Sequence, residues 1–235
     1  MPISRFLPPF VKNLFRPIYR SFVGTPNKQS QSYNLKSREE LHEYWSSPPD
    51  GNFANNYAGE KESQRVRSEL LVRLTEKYCS KDGKILEIGC NVGRNLHYLH
   101  QAGFRNLCGI EISQQAVDLM GQRFPEMAGS ARILVGPVEE KIKELSDGEF
   151  DLVFTMAVLE HIHTESEWIF AEMARVAKDY LITLEDEAQL SWRHFPRNYK
   201  KIFEPLGFQE LESFECVMET HGMNPNFRGR IFKKE

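Results

Sequence analysis

One stretch of the sequence, residues 84–99 (KILEIGCNVGRNLHYL), constrains the fold more than any other. Its apolar start predicts a short buried strand, Gly89 and Gly93 predict a turn, and the residues after Gly93 have helical spacing. The same order of strand and helix then repeats along the chain. Strands separated by single helices predict βαβ units, and therefore an α/β domain with a parallel sheet and right-handed crossovers.

This repeat predicts the strands of one sheet and the helices that cover its two faces. We predict strands over residues 84–89, 107–112, 131–135, 150–156, 179–185, 208–215 and 229–233. We predict helices over residues 93–103, 113–124, 138–145, 165–176 and 196–206. The last two strands are expected to be edge strands.

The first 36 residues form a basic and apolar arm. They contain six basic residues and no acid, and from residue 11 to residue 22 the apolar positions follow helical spacing. Such a segment can lie on an anionic membrane, and residues 1–24 would then make a weak peripheral contact with its inner face. The alternative is that the arm packs on the domain or stays irregular, because Pro17 interrupts the helix.

A helical cap is predicted between the arm and the glycine turn. Ser37 and Glu40 have the spacing of a capping box, which predicts a helix that extends to Trp45. A longer helix is predicted over residues 59–78. The predicted divisions are the arm (1–36), the cap (37–80) and the α/β domain (81–235).

Composition narrows the classes of partner. A formal net charge of −3 gives no basic face for a polyanion, so nucleic acid is not expected as a partner. The four cysteines stand singly without a CxxC pair, which favours a reducing cytoplasm over a disulfide framework or a zinc site. No apolar run approaches the roughly 18 residues of a membrane span, and no secretory signal is recognised, so a cytoplasmic location is expected.

The glycine turn predicts a cationic ligand. In an open parallel sheet the ligand lies beyond the carboxyl ends of the strands, which is where Gly89 and Gly93 fall. The turn lacks the GxGxxG spacing of a dinucleotide site, and Glu87 beside it would repel a phosphate. Glu111 follows the second strand, where a carboxylate can accept hydrogen bonds from ribose hydroxyls. A cationic ligand with a ribose indicates S-adenosyl-L-methionine (SAM).

Four segments in residues 80–235 carry a resemblance to a known family. They are EIGCNVG (87–93), GIEIS (109–113), FDLVF (150–154) and VLEHI (158–162). Here the chain resembles the class I SAM-dependent methyltransferases, in particular small-molecule enzymes of the type 11 and type 12 groups. The resemblance implies a Rossmann-like, doubly wound sheet of seven mostly parallel strands with an antiparallel last strand. It also implies SAM as cofactor and S-adenosyl-L-homocysteine (SAH) as product.

The resemblance further implies a set of cofactor contacts. They are Glu87, Gly89, Cys90, Asn91, Gly93, Glu111, Ile112, Val138, Glu139 and Met156. Asn91 replaces the family's middle glycine, and asparagine tolerates a positive φ better than other side chains. Pro137 follows Gly136 where the family often has an acid for the adenine amine, so the Val138 backbone or the Glu139 carboxylate is expected to serve.

Methyl transfer needs a base only when the acceptor must lose a proton. The displacement at the sulfonium methyl is already activated, so the protein mainly aligns the acceptor and excludes water. His161, just after the fourth strand, and His194 are the catalytic candidates, because histidine titrates near neutrality. The alternative for His161 is a structural hydrogen bond at the start of a helix.

Substrate contacts are predicted in the cap and in the loop after the fifth strand. Arg193 and Arg197 lie in that loop and are suited to an anionic or carbohydrate-like acceptor, with solvated arginines as the alternative. In the cap, ordinary helix packing is the alternative for each aromatic candidate. These candidates are Tyr44, Trp45 and Tyr57.

A metal is not predicted. The Glu160-His161 pair is similar to a segment of the ubiquinone-biosynthesis O-methyltransferases, in which a further acid helps to bind a divalent metal. Ala157 stands at the position of that acid. One ligand is therefore missing.

The sequence predicts methyl transfer to a small molecule, with oxygen favoured over nitrogen or sulfur as the acceptor atom. The motif set is similar to that of enzymes acting on cell-surface sugars, and a secondary-metabolite precursor is another candidate. Two alternatives stay open. One is a SAM-binding regulator or complex partner without catalysis, and the other is an NAD-dependent enzyme.

Overall fold

One seven-stranded sheet organises the residues that the computed structural model describes, which are 35–47, 54–57 and 61–235. The strands are β1 (Lys84–Ile88), β2 (Asn106–Glu111), β3 (Arg132–Val135), β4 (Phe150–Met156), β5 (Ala177–Asp186), β6 (Phe208–Glu215) and β7 (Phe227–Lys234). Their order across the sheet is β3-β2-β1-β4-β5-β7-β6. The pairs among β1 to β5 are parallel, and β7 is antiparallel to both of its neighbours. The predicted doubly wound sheet with an antiparallel last strand is confirmed.

The position of β7 corrects the prediction of two edge strands. β7 pairs with both β5 and β6, so only β6 lies at that edge, and β3 forms the other edge. The residues explain this order. Four consecutive residues of β7, beginning at Gly229, are buried, whereas β6 alternates between more and less exposed positions and has only Phe208 buried. A strand of the second kind is suited to an edge.

Helices cover the sheet and connect its strands. They are α1 (Arg38–Ser46), α2 (Ala54–Tyr57), α3 (Glu62–Tyr78), α4 (Arg94–Gln101), α5 (Gln114–Arg123), α6 (Pro125–Ser130), α7 (Val138–Lys141), α8 (Ile169–Val176), α9 (Tyr199–Phe203) and α10 (Met218–His221). Short 3-10 turns extend α7 and α9 and form much of the connection between β4 and α8. No described helix has the length and apolar character that a membrane span requires.

Two apolar cores lie on opposite faces of the sheet. Alternate residues of β1 face opposite ways, so Leu86 packs in one core with Phe170 of α8, and Ile85 packs in the other with Leu71 of α3. The central strands are therefore buried on both faces, which is typical of parallel sheets. Glu87 is an exception in this apolar setting, since it lies in β1 and is 2% exposed.

The predicted cap helices belong to the same compact unit as the sheet, which spans Lys36–Glu235. Ser37 and Glu40 form the expected capping box at the start of α1. α3 is tied to α4 through Ser68, whose hydroxyl donates to Asn95 Oδ1 at 2.8 Å and accepts from Arg94 Nε at 3.0 Å. The predicted arm, apart from its last two residues, and the predicted membrane contact of residues 1–24 lie outside the described residues.

Candidate functional site

A cavity of about 330 Å³ lies where the carboxyl ends of β1, β2 and β4 meet. The strand order reverses between β1 and β4, so this is the switch point of the doubly wound sheet. Most of the predicted site residues line it: Trp45, Tyr57, Glu87, Gly89, Cys90, Asn91, Glu111, Ile112, Val138, Glu139, Met156, His161, Arg193 and His194. Gly93, Tyr44 and Arg197 do not.

The glycine turn runs beneath the cavity and is fixed to β2. The backbone N–H groups of Gly89 and Cys90 both donate to the Ile110 carbonyl, at 2.8 and 3.0 Å. Gly89 has a φ of +72°, and a Cβ there would lie 2.4 Å from the Val158 side chain. Asn91 has a φ of +48°, so the middle position keeps the left-handed conformation that a glycine would adopt. The backbone of the turn can therefore approach a ligand closely.

Gly93 has a different role from the predicted cofactor contact. It is the N-cap of α4, with a φ of +72°, and does not line the cavity. A Cβ at this position would lie 2.7 Å from Met120 Cγ and 2.8 Å from Met127 Cε. The glycine is required for the turn and for close packing against α5 and α6.

Glu111 presents a fixed carboxylate at the end of β2. Its Oε2 accepts from the Asn91 N–H at 2.7 Å, and its Oε1 accepts from the Ser113 N–H at 2.8 Å. Burial raises the pKa of Glu111, and these backbone donors oppose that rise. Each oxygen keeps further lone-pair capacity, so the carboxylate can accept from two vicinal hydroxyls.

Glu87 lies across the turn from Glu111 and is incompletely partnered. Its Oε1 accepts from Asn95 Nδ2 at 2.8 Å, whereas its Oε2 is buried without a hydrogen-bond partner among the described residues. Burial raises the pKa of Glu87 to about 8, so the carboxyl is mostly protonated at neutral pH. A buried orphan oxygen that lines a cavity is explained by a cationic ligand. Together with the close approach at Gly89, it fits a sulfonium nucleoside that carries an ammonium group.

Glu139 and Val138 begin α7 on the opposite wall. Glu139 Oε1 lies 3.1 Å from Nε2 of His42 in α1, which also lines the cavity. This hydrogen bond raises the pKa of His42 against the effect of burial. Burial acts to raise the pKa of Glu139, but the bond to His42 and other donors hold it below its usual value. The predicted adenine contact is thus tied to the cap.

His161 and His194 meet at the rim, with ring centroids 4.7 Å apart. Nδ1 of His161 lies 2.9 Å from the Arg193 carbonyl, so it carries the proton and leaves a lone pair on Nε2. Burial lowers the pKa of His161 to about 3. Nδ1 of His194 lies 2.5 Å from Ser191 Oγ. Burial and the Arg193 charge lower the pKa of His194 as well.

A buried pair of acids supports this rim from below. Glu160 Oε2 accepts from the Asp186 N–H at 2.6 Å. Glu185 Oε2 accepts from the Val158 and Leu159 N–H groups, both at 2.9 Å. Burial, followed by the charge of Glu185, raises the pKa of Glu160, and burial also raises that of Glu185. The raised pKa values favour the protonated forms of these carboxyls, and the backbone bonds of the pair fix the segment that carries His161.

Three side chains at the rim have the chemistry of metal ligands. One ligand atom from each of Glu160, His161 and His194 lies within 4.8 Å of the others. His194 comes from the loop after β5, so no local sequence pattern combines it with the other two. That no metal is bound stays a prediction.

Arg193 is held by aromatic side chains of the cap and its own loop. Its guanidinium carbon lies 5.4–5.5 Å from the ring centroids of Tyr44, Trp45 and Trp192, and its Nη1 donates to Tyr44 Oη at 2.5 Å. Trp45 also packs on His161, with ring centroids 4.5 Å apart. Tyr44 therefore supports Arg193 from outside the cavity.

Arg197 is not the substrate residue that its sequence position predicted. Its guanidinium is buried, lies 3.0 Å from Glu167 and donates to three backbone carbonyls. Those carbonyls belong to Leu159, Ile162 and Phe195. Arg197 thus ties the loop after β5 to the segment of His161, and Arg197 itself does not line the cavity.

Sequence reasoning missed several cavity residues. Four of them have cationic or titratable side chains: Arg38, His42, Arg67 and Arg94. Arg94 directly follows the glycine turn, and that position was the available signal. The others lie in helices or loops whose approach to the sheet is set by tertiary packing.

Comparison with known proteins agrees with this geometry. Residues 86–180 match a family model described as a methyltransferase domain. Magnesium protoporphyrin IX methyltransferase from Synechocystis PCC 6803, crystallised with SAH, has a similar fold, with a TM-score of 0.66 and 16% identity over 85% of this chain and 100% of that chain. A TehB-like SAM-dependent methyltransferase from Corynebacterium glutamicum has a TM-score of 0.57 and 22% identity over 77% of this chain and 98% of that chain. Geranyl diphosphate C-methyltransferase from Streptomyces coelicolor A3(2) has a TM-score of 0.58 and 11% identity over 83% of this chain and 96% of that chain.

The matched segment contains the glycine turn, Glu111 and the β4 rim, and the shared fold extends well beyond it. The residues at the switch point suit a cationic, ribose-bearing cofactor. Residues 86–180 therefore form a methyltransferase domain within a class I methyltransferase fold, and SAM is its cofactor.

Proposed function

We propose that the enzyme methylates an oxygen atom of a small-molecule acceptor, with His194 as the base. The observation that carries this proposal is the contact between the His161 and His194 imidazoles at the rim of the cofactor cavity. An oxygen acceptor must lose its proton, and a neutral imidazole with a free lone pair can take it. Methyl transfer to an acceptor that need not lose a proton would give these side chains no chemical task.

His194 is better suited to this task than His161. His161 is so deeply buried that its pKa falls to about 3, so its imidazolium is too unstable to hold a proton near neutrality. The pKa of His194 is lowered by a less complete burial. We assign proton acceptance to Nε2 of His194 and the orientation of the acceptor to His161.

The cofactor contacts follow from the same cavity. When bound, SAM supplies a methyl group that its sulfonium charge already activates. Glu111 accepts hydrogen bonds from the ribose hydroxyls, and Glu87 pairs with the ammonium group through its orphan oxygen. The glycine turn provides close backbone contact, and α7 contacts the adenine through Val138 and Glu139.

The proposal is tested with SAM that carries an isotopically labelled methyl group, incubated with a metabolite extract. We expect a labelled product of low molecular mass from which hydriodic acid releases the label as methyl iodide, as it does from an O-methyl group. His194→Ala should lower the rate of labelling about 10²- to 10⁴-fold while SAM binding persists. His100→Ala, outside the cavity, is the matched control. A product whose label resists hydriodic acid, or an unchanged rate in His194→Ala, would contradict the proposal.

A further inference from the structure

Both arginines and glutamates line the cavity, and most of these arginines form no ion pair in the part of the chain that the structure describes. Four arginines line the cavity, and Arg38 pairs with Glu39. For the other three, Arg67, Arg94 and Arg193, no carboxylate lies within 4.0 Å of the guanidinium among the residues that the structure describes. Since an unpaired charge is costly to remove from water, such a group in a cavity calls for an anionic partner.

Two of these arginines, Arg94 and Arg67, lie near each other. Arg94 directly follows the glycine turn and donates to Ser68 Oγ at 3.0 Å and to the Tyr57 carbonyl at 3.1 Å. Arg67 donates to the Gly222 carbonyl at 2.6 Å. SAM brings one carboxylate, which these two arginines can bind beside Glu87. No cofactor anion is then left for Arg193.

Arg193 lies beside the imidazoles of His161 and His194. Its one side-chain hydrogen bond among the described residues is the Nη1 bond to Tyr44, so Nε and Nη2 keep donors to offer. Three aromatic rings hold the guanidinium in place, which reduces the entropy lost on binding. The planar guanidinium has the donor geometry that binds a carboxylate or phosphate through two bonds.

A second unsatisfied donor adjoins Arg193. Nε1 of Trp45 is buried without a hydrogen-bond partner in the described part of the chain. The ring of Trp45 contacts both Arg193 and His161 and lines the cavity. An indole N–H donates only, so it requires an acceptor. One oxyanion group can satisfy both donors.

We propose that the methyl acceptor is a small organic anion whose carboxylate, sulfate or phosphate group binds Arg193 and Trp45 while its nucleophile faces His194. This inference rests on the proposed function, because it takes the space beside the imidazoles as the acceptor site. The anionic group anchors the acceptor and sets the distance to its reacting atom.

The test is calorimetric binding to the SAH-loaded enzyme with a panel of matched hydroxy acids and their amides, such as 4-hydroxybenzoate and 4-hydroxybenzamide. We expect at least one acid to bind about tenfold or more tightly than its amide. Arg193→Gln should abolish this preference and Arg193→Lys should retain part of it, whereas Arg105→Gln, an exposed arginine outside the cavity, should leave it intact.

SAH affinity serves as the folding control for every variant. If no acid of the panel binds better than its amide, or if Arg193→Gln keeps the preference, the inference is wrong. The readout involves no methyl transfer. If only the proposed function fails, the enzyme still binds hydroxy acids better than amides, but the methyl label is absent from small molecules or resists hydriodic acid. If only this inference fails, O-methylated products form but they are neutral molecules.

Discussion

Replacing Glu87 by Gln should change the number of protons that accompany SAM binding. In the protein without ligand, burial raises the pKa of Glu87 to about 8, and Oε2 has no partner among the described residues. The ammonium group of SAM favours the ionised carboxylate, so binding lowers this pKa and releases the proton. The glutamine carries no proton to release.

The magnitude follows from the two titrating groups. With a pKa of about 8, Glu87 is about 90% protonated at pH 7 and releases about 0.9 proton on full ionisation. An α-amino group with a pKa of about 7.7 takes up about 0.2 proton at pH 7 to become fully charged. The wild-type protein should therefore release about 0.7 proton per SAM, and Glu87→Gln should take up about 0.2.

The sign also fixes the pH dependence of affinity. Because the bound state holds fewer protons, SAM affinity in the wild type should rise about eightfold from pH 6 to pH 7, until the amine itself loses its proton near pH 8. Glu87→Gln should show almost no change over that range and should bind about tenfold or more weakly at pH 7.

Titration calorimetry in buffers of different ionisation enthalpy counts these protons directly. Measurements at pH 6 and pH 7 give the affinity trend in the same experiment. An equal proton count for the wild type and Glu87→Gln would refute the pairing of Glu87 with the ammonium group. So would a wild-type affinity that does not rise with pH.

Glu111→Ala should weaken SAM and SAH equally, by about ten- to a hundredfold, since both share the ribose, and calorimetry showing unchanged affinity would contradict that contact. Arg197→Ala should lower the free energy of unfolding by about 3–5 kcal/mol, because it leaves Glu167 and three backbone carbonyls without their donor. In the same denaturant titration, Arg105→Ala should change the free energy of unfolding by about 0.5 kcal/mol or less. Equal effects of the two substitutions would contradict the structural role of Arg197. Dialysis against EDTA should leave methyl transfer unchanged, and a loss that magnesium restores would show that the rim binds a metal.

The sheet could be predicted because its signals are local. Strands of apolar residues alternate with amphipathic helices, and the turn from Gly89 to Gly93 has a sequence that few other conformations explain. The order of β6 and β7 could not be read in this way. The order depends on which strand is buried on both faces. Exposure alternates along β6, whereas four consecutive residues of β7 are buried, and this difference is seen only when both strands are placed in the sheet beside β5.

The cofactor side of the site was predictable for the same reason, because Glu87 and Glu111 lie at strand ends whose position the topology fixes. The acceptor side was not. Arg193 and Arg197 lie in one loop with similar neighbours in sequence, yet the first lines the cavity and the second is buried among carbonyls. The approach of Arg67 and His42 likewise depends on how the cap packs, and no local pattern encodes it.

A crystal structure of the protein with SAH tests the central claim most directly. We expect ribose hydroxyls within hydrogen-bond distance of Glu111, the ammonium group against Glu87, and the sulfur directed toward the space between His194 and Arg193. SAH bound elsewhere, or bound with its sulfur directed away from His194, would contradict the assignment of both the cofactor contacts and the acceptor site.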